Sequence, residues 1–146
     1  MKIGIDIREM CKEKKAGKAW YTHHLVTQLL ALDKDNTYIL YTNEECTLPQ
    51  MPHVEVRMFK HGALRWHHAV AKDFTREKGD LFFAPTSFII PALLPHTIKS
   101  IVTVHDLVSF LFPLHHQTKA LLIERLFIKR ALKKATHIVT PSMSTK

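Results

Sequence analysis

The dipeptide His105-Asp106 places a titratable ring and a carboxylate at the end of the apolar, β-branched run 101–104. That run predicts a short buried strand. In open parallel α/β sheets, ligands bind just beyond the carboxyl ends of the strands. His105 could therefore contact a sugar hydroxyl or act on a reacting group, with Asp106 orienting it. The alternative, equally weighted, is a histidine capped by neighbouring backbone and an aspartate that caps a turn.

A second candidate site lies in the basic loop before the first predicted helix. Gly17 precedes that helix, and Lys14, Lys15 and Lys18 supply positive charge. The unpaired amides of a helix N-terminus can hold a phosphate or a carboxylate. Because a single glycine is far from a G-x-G-x-x-G pattern, a plain helix-entry loop with solvated lysines is favoured on these residues alone.

A third candidate is the pair Thr86-Ser87, which follows a predicted strand at 81–84. Their hydroxyl groups would lie at the same ligand-binding edge as His105. They could bind polar groups of a ligand, or they could cap the next turn, and the sequence favours neither.

The histidine and cysteine patterns do not predict a metal centre. Adjacent helical residues point about 100° apart, so each of the pairs 23–24, 67–68 and 115–116 offers one ligand at best, whereas zinc takes about three or four. We expect solvated or partly buried histidines and no metal. Cys11 and Cys46 form no CxxC pair and are expected to be reduced thiols in loops, without a role.

These candidates are positioned by an alternation of predicted strands and helices. Strands are predicted at 2–7, 38–42, 54–59, 81–84, 100–105 and 137–140, and helices at 19–32, 64–78 and 118–135. Short apolar strands of this kind favour a mostly parallel, doubly wound α/β sheet with helices on both faces. Leu25, Leu29 and Leu32 are predicted to form the stripe of the first helix, and Gly79 to stop the second. Residues 9–18 and 107–116 are predicted loops, and 85–96 an apolar loop or broken helical turn.

Composition indicates the class of protein. The 146 residues are 46% hydrophobic and 23% charged, which predicts a globular domain rather than a disordered chain. No apolar run approaches the roughly 20 residues that span a bilayer. Asp6 interrupts the apolar start that a signal peptide would need, so we expect a cytoplasmic location.

The formal charge of +8 is compatible with nucleic acid, an anionic membrane surface or phosphate-bearing small molecules. No RNA- or DNA-binding motif accompanies it, so nucleic acid is not an expected partner. The helix at 118–135 has a basic face, which we interpret as solvated, with contact to anionic lipid or a phosphorylated substrate as the alternative. Its predicted apolar surface comprises Leu121, Leu122, Ile123, Leu126, Phe127, Ile128 and Leu132.

Several segments together resemble the group 1 (family 4) glycosyltransferases of the GT-B fold. They occur in the family's order and are spread over nearly the whole chain. Their order and spacing identify the family more specifically than any single segment does. The segments are Met1–Arg8, Gly17–Tyr21, Phe83–Pro85, Val102–Leu107, Phe112-Pro113 and Arg130–Ser142.

The resemblance implies a Rossmann-like, acceptor-side domain of a retaining hexosyltransferase. Such an enzyme moves a hexose from a nucleotide-sugar donor to a saccharide or lipid-linked acceptor, and no metal or other cofactor is expected. In the family, the donor lies between two domains, and the second domain supplies most donor contacts. Carried over by position, Gly17 with Lys18 would approach the donor phosphates, His105 the transferred sugar and the acceptor, with Asp106 its motif partner.

The sequence departs from the family pattern in two places. Ala19 stands where the family often has a second glycine, and a methyl group there would narrow the approach of a phosphate to the backbone. The chain ends at Lys146, so 1–146 is expected to be a single domain, incomplete at its C-terminus and without the donor-binding domain.

Alone, such a domain is expected to be inactive or nearly so. The alternative function is a truncated, non-catalytic binding or assembly module. Exposed apolar surface would favour a homo-oligomer, and the basic charge is compatible with a peripheral position at the inner membrane surface.

Overall fold

The computed structural model describes residues 1–105 and 119–143. In this part of the chain, strands and helices alternate along the sequence. In chain order they are β1 (Lys2–Asp6), α1 (Arg8–Cys11), α2 (Gly17–Leu32), β2 (Thr37–Thr42), β3 (Val54–Met58), α3 (Ala63–Arg76), β4 (Leu81–Ala84), α4 (Ile89–Leu93), β5 (Lys99–Thr103), α5 (Lys119–Lys134) and β6 (His137–Val139).

The strands form one sheet in the order β3-β2-β1-β4-β5-β6, with every neighbouring pair parallel. The chain winds outward from β1 to β3 and then returns to the other side of β1 to form β4. This reversal leaves a crevice at the carboxyl ends of β1 and β4, which is where open α/β sheets bind ligands. The predicted doubly wound, Rossmann-like α/β fold is confirmed, with a sheet that is entirely parallel.

The alternation of side chains along β2 shows how both faces of the sheet are buried. Tyr38 and Leu40 pack with Val26 of α2 on one face, whereas Ile39 and Tyr41 pack with Trp66 of α3 on the other. Because both faces are covered, β2 is apolar at nearly every position rather than alternating with polar residues. Helices α1 and α2 cover the first face, and α3, α4 and α5 cover the second.

Two glycines make room for one phenylalanine of α3. A Cβ on Gly79 would lie 2.0 Å from Phe74 Cζ, and a Cβ on Gly4 would lie 2.8 Å from Phe74 Cε2. Gly79 was predicted as the helix stop, but α3 ends at Arg76 and the left-handed residue is Lys78, with φ of 52°. The role of Gly79 is therefore to allow close packing on a fully buried ring.

The predicted apolar stripe of α2 is only partly found. Leu29 is partly buried against the core, but Leu32 is 82% exposed and Leu25 lies at the surface. The fully buried residues of α2 are Ala19, Thr22, Val26 and Leu30. This set is spaced by three and four residues and includes a threonine whose hydroxyl donates to the carbonyl of Lys18, at 2.8 Å. The stripe of Leu25, Leu29 and Leu32 is therefore rotated about the helix axis relative to the buried face.

The predicted apolar surface of the last helix is only partly found. Ile128 is buried and Phe127 partly buried, but Leu126 is 69% exposed. The side chains at 121–123 lie outside those described, as does the predicted loop at 107–116. None of the helices in the described part of the chain is long and apolar enough to cross a bilayer.

The prediction of two free thiols is also wrong, because Cys11 and Cys46 form a disulfide with their Cα atoms 4.9 Å apart. Cys11 ends α1, which follows β1, and Cys46 lies in the loop that follows β2. Since β1 and β2 are parallel neighbours, the segments after them meet at the same edge of the sheet. The pairing depends on this strand order, which no local spacing in the sequence reveals.

Candidate functional site

The candidate site lies at the carboxyl ends of β1, β4 and β5. These strands are neighbours in the sheet, so the segments that follow them are brought side by side. They contribute Arg8 after β1, Thr86 and Ser87 after β4, and His105 after β5. The site therefore includes the crevice at the point where the chain reverses direction.

His105 is half-buried, and the structure fixes the orientation of its ring. Nε2 lies 2.8 Å from the carbonyl oxygen of Pro85, and because a carbonyl only accepts, Nε2 carries a hydrogen. In the neutral ring, Nδ1 is then the acceptor nitrogen. The backbone contact matches the capping alternative considered from sequence. It also holds the ring at a defined angle.

Tyr21 joins His105 to the start of α2. The two rings meet edge to face, with centroids 4.8 Å apart and planes at 88°. The Tyr21 hydroxyl lies 3.5 Å from Thr103 Oγ1, at the end of β5. Gly17 is four residues before Tyr21, about one helical turn or 6 Å along the axis. The structure thus brings two separately predicted candidates, Gly17 and His105, to the same edge of the sheet.

The N-terminus of α2 is exposed at the carboxyl edge of the sheet. Ala16 precedes it in an extended conformation and makes no side-chain cap hydrogen bond, and both Gly17 and Lys18 are exposed. A Cβ built on Gly17 would meet nothing within 4 Å, and none of the described glycines has a positive φ. The fold itself therefore does not require glycine at position 17.

The expected obstruction by Ala19 is not found. Its side chain is 1% exposed, so the methyl group is covered by protein atoms rather than lining the open end of α2. The departure from the family pattern at this position does not narrow the exposed approach to Gly17.

Ser87 lies in the crevice but is engaged locally. Its hydroxyl oxygen accepts from the backbone N–H of Ile89, at 3.4 Å, and lies 3.4 Å from His67 Nε2. The capping interpretation of Ser87 is thus supported, together with a contact that sequence did not predict. Thr86 is half-buried at the same edge. Asp106 lies outside the described residues.

A buried ion pair that sequence reasoning missed lies directly in the crevice. Asp6 is 1% exposed and accepts from Arg8 Nε at 3.0 Å, from Arg8 Nη2 at 2.8 Å and from the Arg8 backbone N–H at 3.2 Å. Such a bidentate pair has a fixed geometry as well as charge complementarity. Asp6 ends β1, so the pair lies at the crevice between the carboxyl ends of β1 and β4.

The guanidinium of Arg8 is held by two residues of α3 as well. It lies 3.8 Å from the centre of the Trp66 ring, and its Nη2 lies 3.0 Å from His67 Nε2. Since a guanidinium only donates, His67 Nε2 accepts. His67 is 6% exposed, more buried than the solvated or partly buried residue expected from its His-His pair. The detectable signal was an Asp-x-Arg sequence directly after an apolar strand.

The remaining histidines form no metal centre in the part of the chain that the structure describes, where no three His, Cys, Asp or Glu side chains converge. His23 and His24 pack against Trp20 on the surface of α2. His115 and His116 lie outside the described residues. A cavity of about 640 Å³ at the opposite, amino-terminal edge of the sheet contains none of the predicted site residues.

Comparisons with known proteins do not assign the chain to a family. No family model matches the sequence, and no curated protein matches it. The relation to glycosyltransferases thus rests on the motifs in the sequence and on the edge of the sheet at which they lie.

Proposed function

We propose that the chain is the acceptor-side domain of a retaining glycosyltransferase, which moves a hexose from a nucleotide-sugar donor to a saccharide or lipid-linked acceptor. The observation that carries the proposal is the contact between Tyr21 and His105. It brings an oriented imidazole to within about one helical turn of the N-terminus of α2, at the carboxyl edge where α/β folds bind ligands. The family's sugar-contacting and phosphate-contacting motifs map onto these two elements.

The proposed chemistry needs stabilisation of separated charge. As the bond between the hexose and the diphosphate breaks, the diphosphate takes the electron pair and the sugar becomes electron-poor. The first-turn amides of α2 and the ammonium of Lys18 would stabilise the departing diphosphate. His105 would hold a sugar hydroxyl, so that the acceptor oxygen attacks in a fixed geometry. The proton of the acceptor hydroxyl would pass to the departing diphosphate.

The proposal includes a second, donor-binding domain, as in the resembled family. The chain alone is then expected to bind a nucleotide-sugar weakly and to transfer little or no hexose. Efficient transfer by residues 1–146 without a partner would contradict the two-domain proposal.

Ligand-observed NMR tests the proposal on the chain as it is. Saturation transferred from the protein to uridine and guanosine diphosphate hexoses is expected to reach the hexose protons. His105→Ala should weaken that signal, whereas His137→Ala, at an exposed residue outside the candidate site, should leave it unchanged. Equal signals for His105→Ala and the unsubstituted chain would reject the sugar contact assigned to His105.

An assembly module is the second candidate, and the exposure of β6 favours it. All three residues of β6 are exposed, with Ile138 at 50%, and Met143 just beyond it is 82% exposed. An apolar edge strand is a template for pairing with a second chain. Light scattering at high protein concentration is expected to show a dimer or larger species. A clean monomer would remove this candidate.

We propose a cytoplasmic location, with a peripheral position at the inner membrane surface. The Cys11–Cys46 disulfide weighs against this location, because persistent disulfides are typical of oxidising compartments. Cell fractionation tests the location, and the protein is expected in the cytoplasmic and inner-membrane fractions. Recovery of the protein only from a secreted or other oxidising compartment would contradict it.

A further inference from the structure

A groove between α3 and α5 gathers basic side chains that are not part of the candidate site. Two cavities of about 660 and 460 Å³ share His68, Lys72 and Leu93 and so form one continuous groove. We call it the α3–α5 groove. One face of α3 supplies a row of basic side chains spaced by three and four residues, Arg65, His68, Lys72 and Arg76.

The opposite wall of the groove is also basic. Arg130 and Lys134 of α5 line it, and the Lys134 ammonium donates to the carbonyls of Ala92, at 3.3 Å, and of Leu94. Burial, and then the nearby charge of Arg130, lower the pKa of Lys134. None of the described residues that line the groove is acidic, so these residues together contribute a net positive charge.

The floor of the groove is apolar, with Leu64, Leu93 and Phe127 among its lining residues. The groove is therefore amphipathic, since cations at its walls flank carbon surface at its base. Ligands with an anionic edge and an apolar face match this arrangement.

The groove begins beside the candidate site. His67 contacts Arg8 and Ser87 in the crevice, and the next residue, His68, lines the groove. From there α3 runs toward the amino-terminal edge of the sheet, where Arg76 and His96 line the other end. The 11-residue separation of Arg65 and Arg76 corresponds to about 16 Å of helix, with a basic residue type about every turn.

We propose that the α3–α5 groove binds an extended anionic glycan, the part of the acceptor saccharide that does not react. The row of cations matches a chain with repeated carboxylates, and the apolar floor can pack against the C–H faces of sugar rings. The choice of a glycan rests on the proposed function, whereas the anionic character of the ligand follows from the groove itself.

Binding of a galacturonic acid hexamer at low salt tests the proposal, with a glucose hexamer as the neutral comparison. The groove variant is Lys72→Gln/Arg130→Gln. The control variant, Lys78→Gln/Lys99→Gln, removes the same charge from exposed residues outside the groove. We expect Kd for the acidic hexamer to rise about tenfold in the groove variant and less than about twofold in the control. The glucose hexamer should bind at least about tenfold more weakly to the unsubstituted chain.

Three outcomes would overturn the proposal. Equal weakening in both variants would indicate attraction to net charge alone. Equal affinity for the two hexamers would remove the anionic character of the ligand. Binding of phosphatidylglycerol vesicles or oligothymidylate that depends on the groove, without binding of the acidic hexamer, would assign the groove to a lipid surface or a nucleic acid. The separate NMR test of His105 shows whether the proposed function fails independently of the groove.

Discussion

Removing one partner of the Asp6–Arg8 pair is expected to destabilise the fold strongly. Asp6 is 1% exposed and receives three hydrogen bonds from Arg8, while the Arg8 side chain is 21% exposed. Breaking a fully buried pair costs about 3–5 kcal/mol, because a charge is left without a partner. The partial exposure of Arg8 reduces this cost, so we expect about 2–3 kcal/mol for Asp6→Asn.

Arg8→Leu is expected to cost about 3 kcal/mol, since it leaves a carboxylate in a fully enclosed position. The double variant leaves neither charge behind, and its loss of stability should be smaller than the sum by about 2 kcal/mol. Urea unfolding of the unsubstituted chain, the two single variants and the double variant measures this coupling, provided that all four show the same m-value.

An exposed pair provides the control for this cycle. Lys12 and Glu9 are in contact at 2.6 Å with side chains 48% and 31% exposed. Their coupling should be about 0.5 kcal/mol or less. Effects of Asp6→Asn and Arg8→Leu that add to within about 0.5 kcal/mol would refute the account of a buried, cooperative pair in the crevice.

The remaining predictions concern two glycines, the disulfide and one carboxyl group. Gly79→Ala should lower the free energy of unfolding by about 1–3 kcal/mol, because its methyl group would overpack the core. A methyl group at Gly17 meets no neighbour, so Gly17→Ala should be neutral or stabilising by up to about 1 kcal/mol. Urea titrations measure both changes, and equal losses of stability would contradict this. Cys46→Ser should cost about 3–4 kcal/mol, from a cross-link between residues 35 apart, and should make stability insensitive to reductant. Hydrogen bonds donated to Asp33 by the Tyr38 hydroxyl, and then by the Asn36 amide and nearby backbone N–H groups, lower the pKa of that carboxyl from 3.8 to about 2. Its stabilising contribution should be complete above about pH 4 and disappear as the pH falls through about 2, and an NMR titration midpoint near 4 would contradict this.

The sequence predicted the strands well because their signal is local. The run at Leu81–Ala84 is bounded as predicted, and the β1 and β2 boundaries differ from the prediction by one residue. Buried strands of a parallel sheet are apolar on both faces. The length of the apolar run and its β-branched residues therefore identify such a strand without knowledge of the neighbouring strands. The position of His105 at the carboxyl edge follows from the same signal.

Features that depend on tertiary neighbours were not predictable. The buried face of α2 includes Thr22, whose hydroxyl donates to a carbonyl of the same helix. A prediction that assigns every polar residue to the surface therefore misses the burial of Thr22. The Cys11–Cys46 bond depends on the side-by-side placement of β1 and β2. The partners of Arg8 come from α3, almost 60 residues away in sequence. In each case the outcome depends on which elements pack together in the folded chain, and a local sequence pattern does not reveal this.

The most direct test of the central claim is protein-observed NMR of the chain titrated with nucleotide-hexoses. The account predicts that the largest amide shifts occur at Gly17, Lys18 and His105, and that Gly17→Ala weakens binding without loss of stability. Shifts confined to the amino-terminal edge, for example at Asp80 and Lys99, would contradict it. So would the absence of any shift at millimolar ligand, because the carboxyl edge of β1, β4 and β5 would then not be a sugar-nucleotide site.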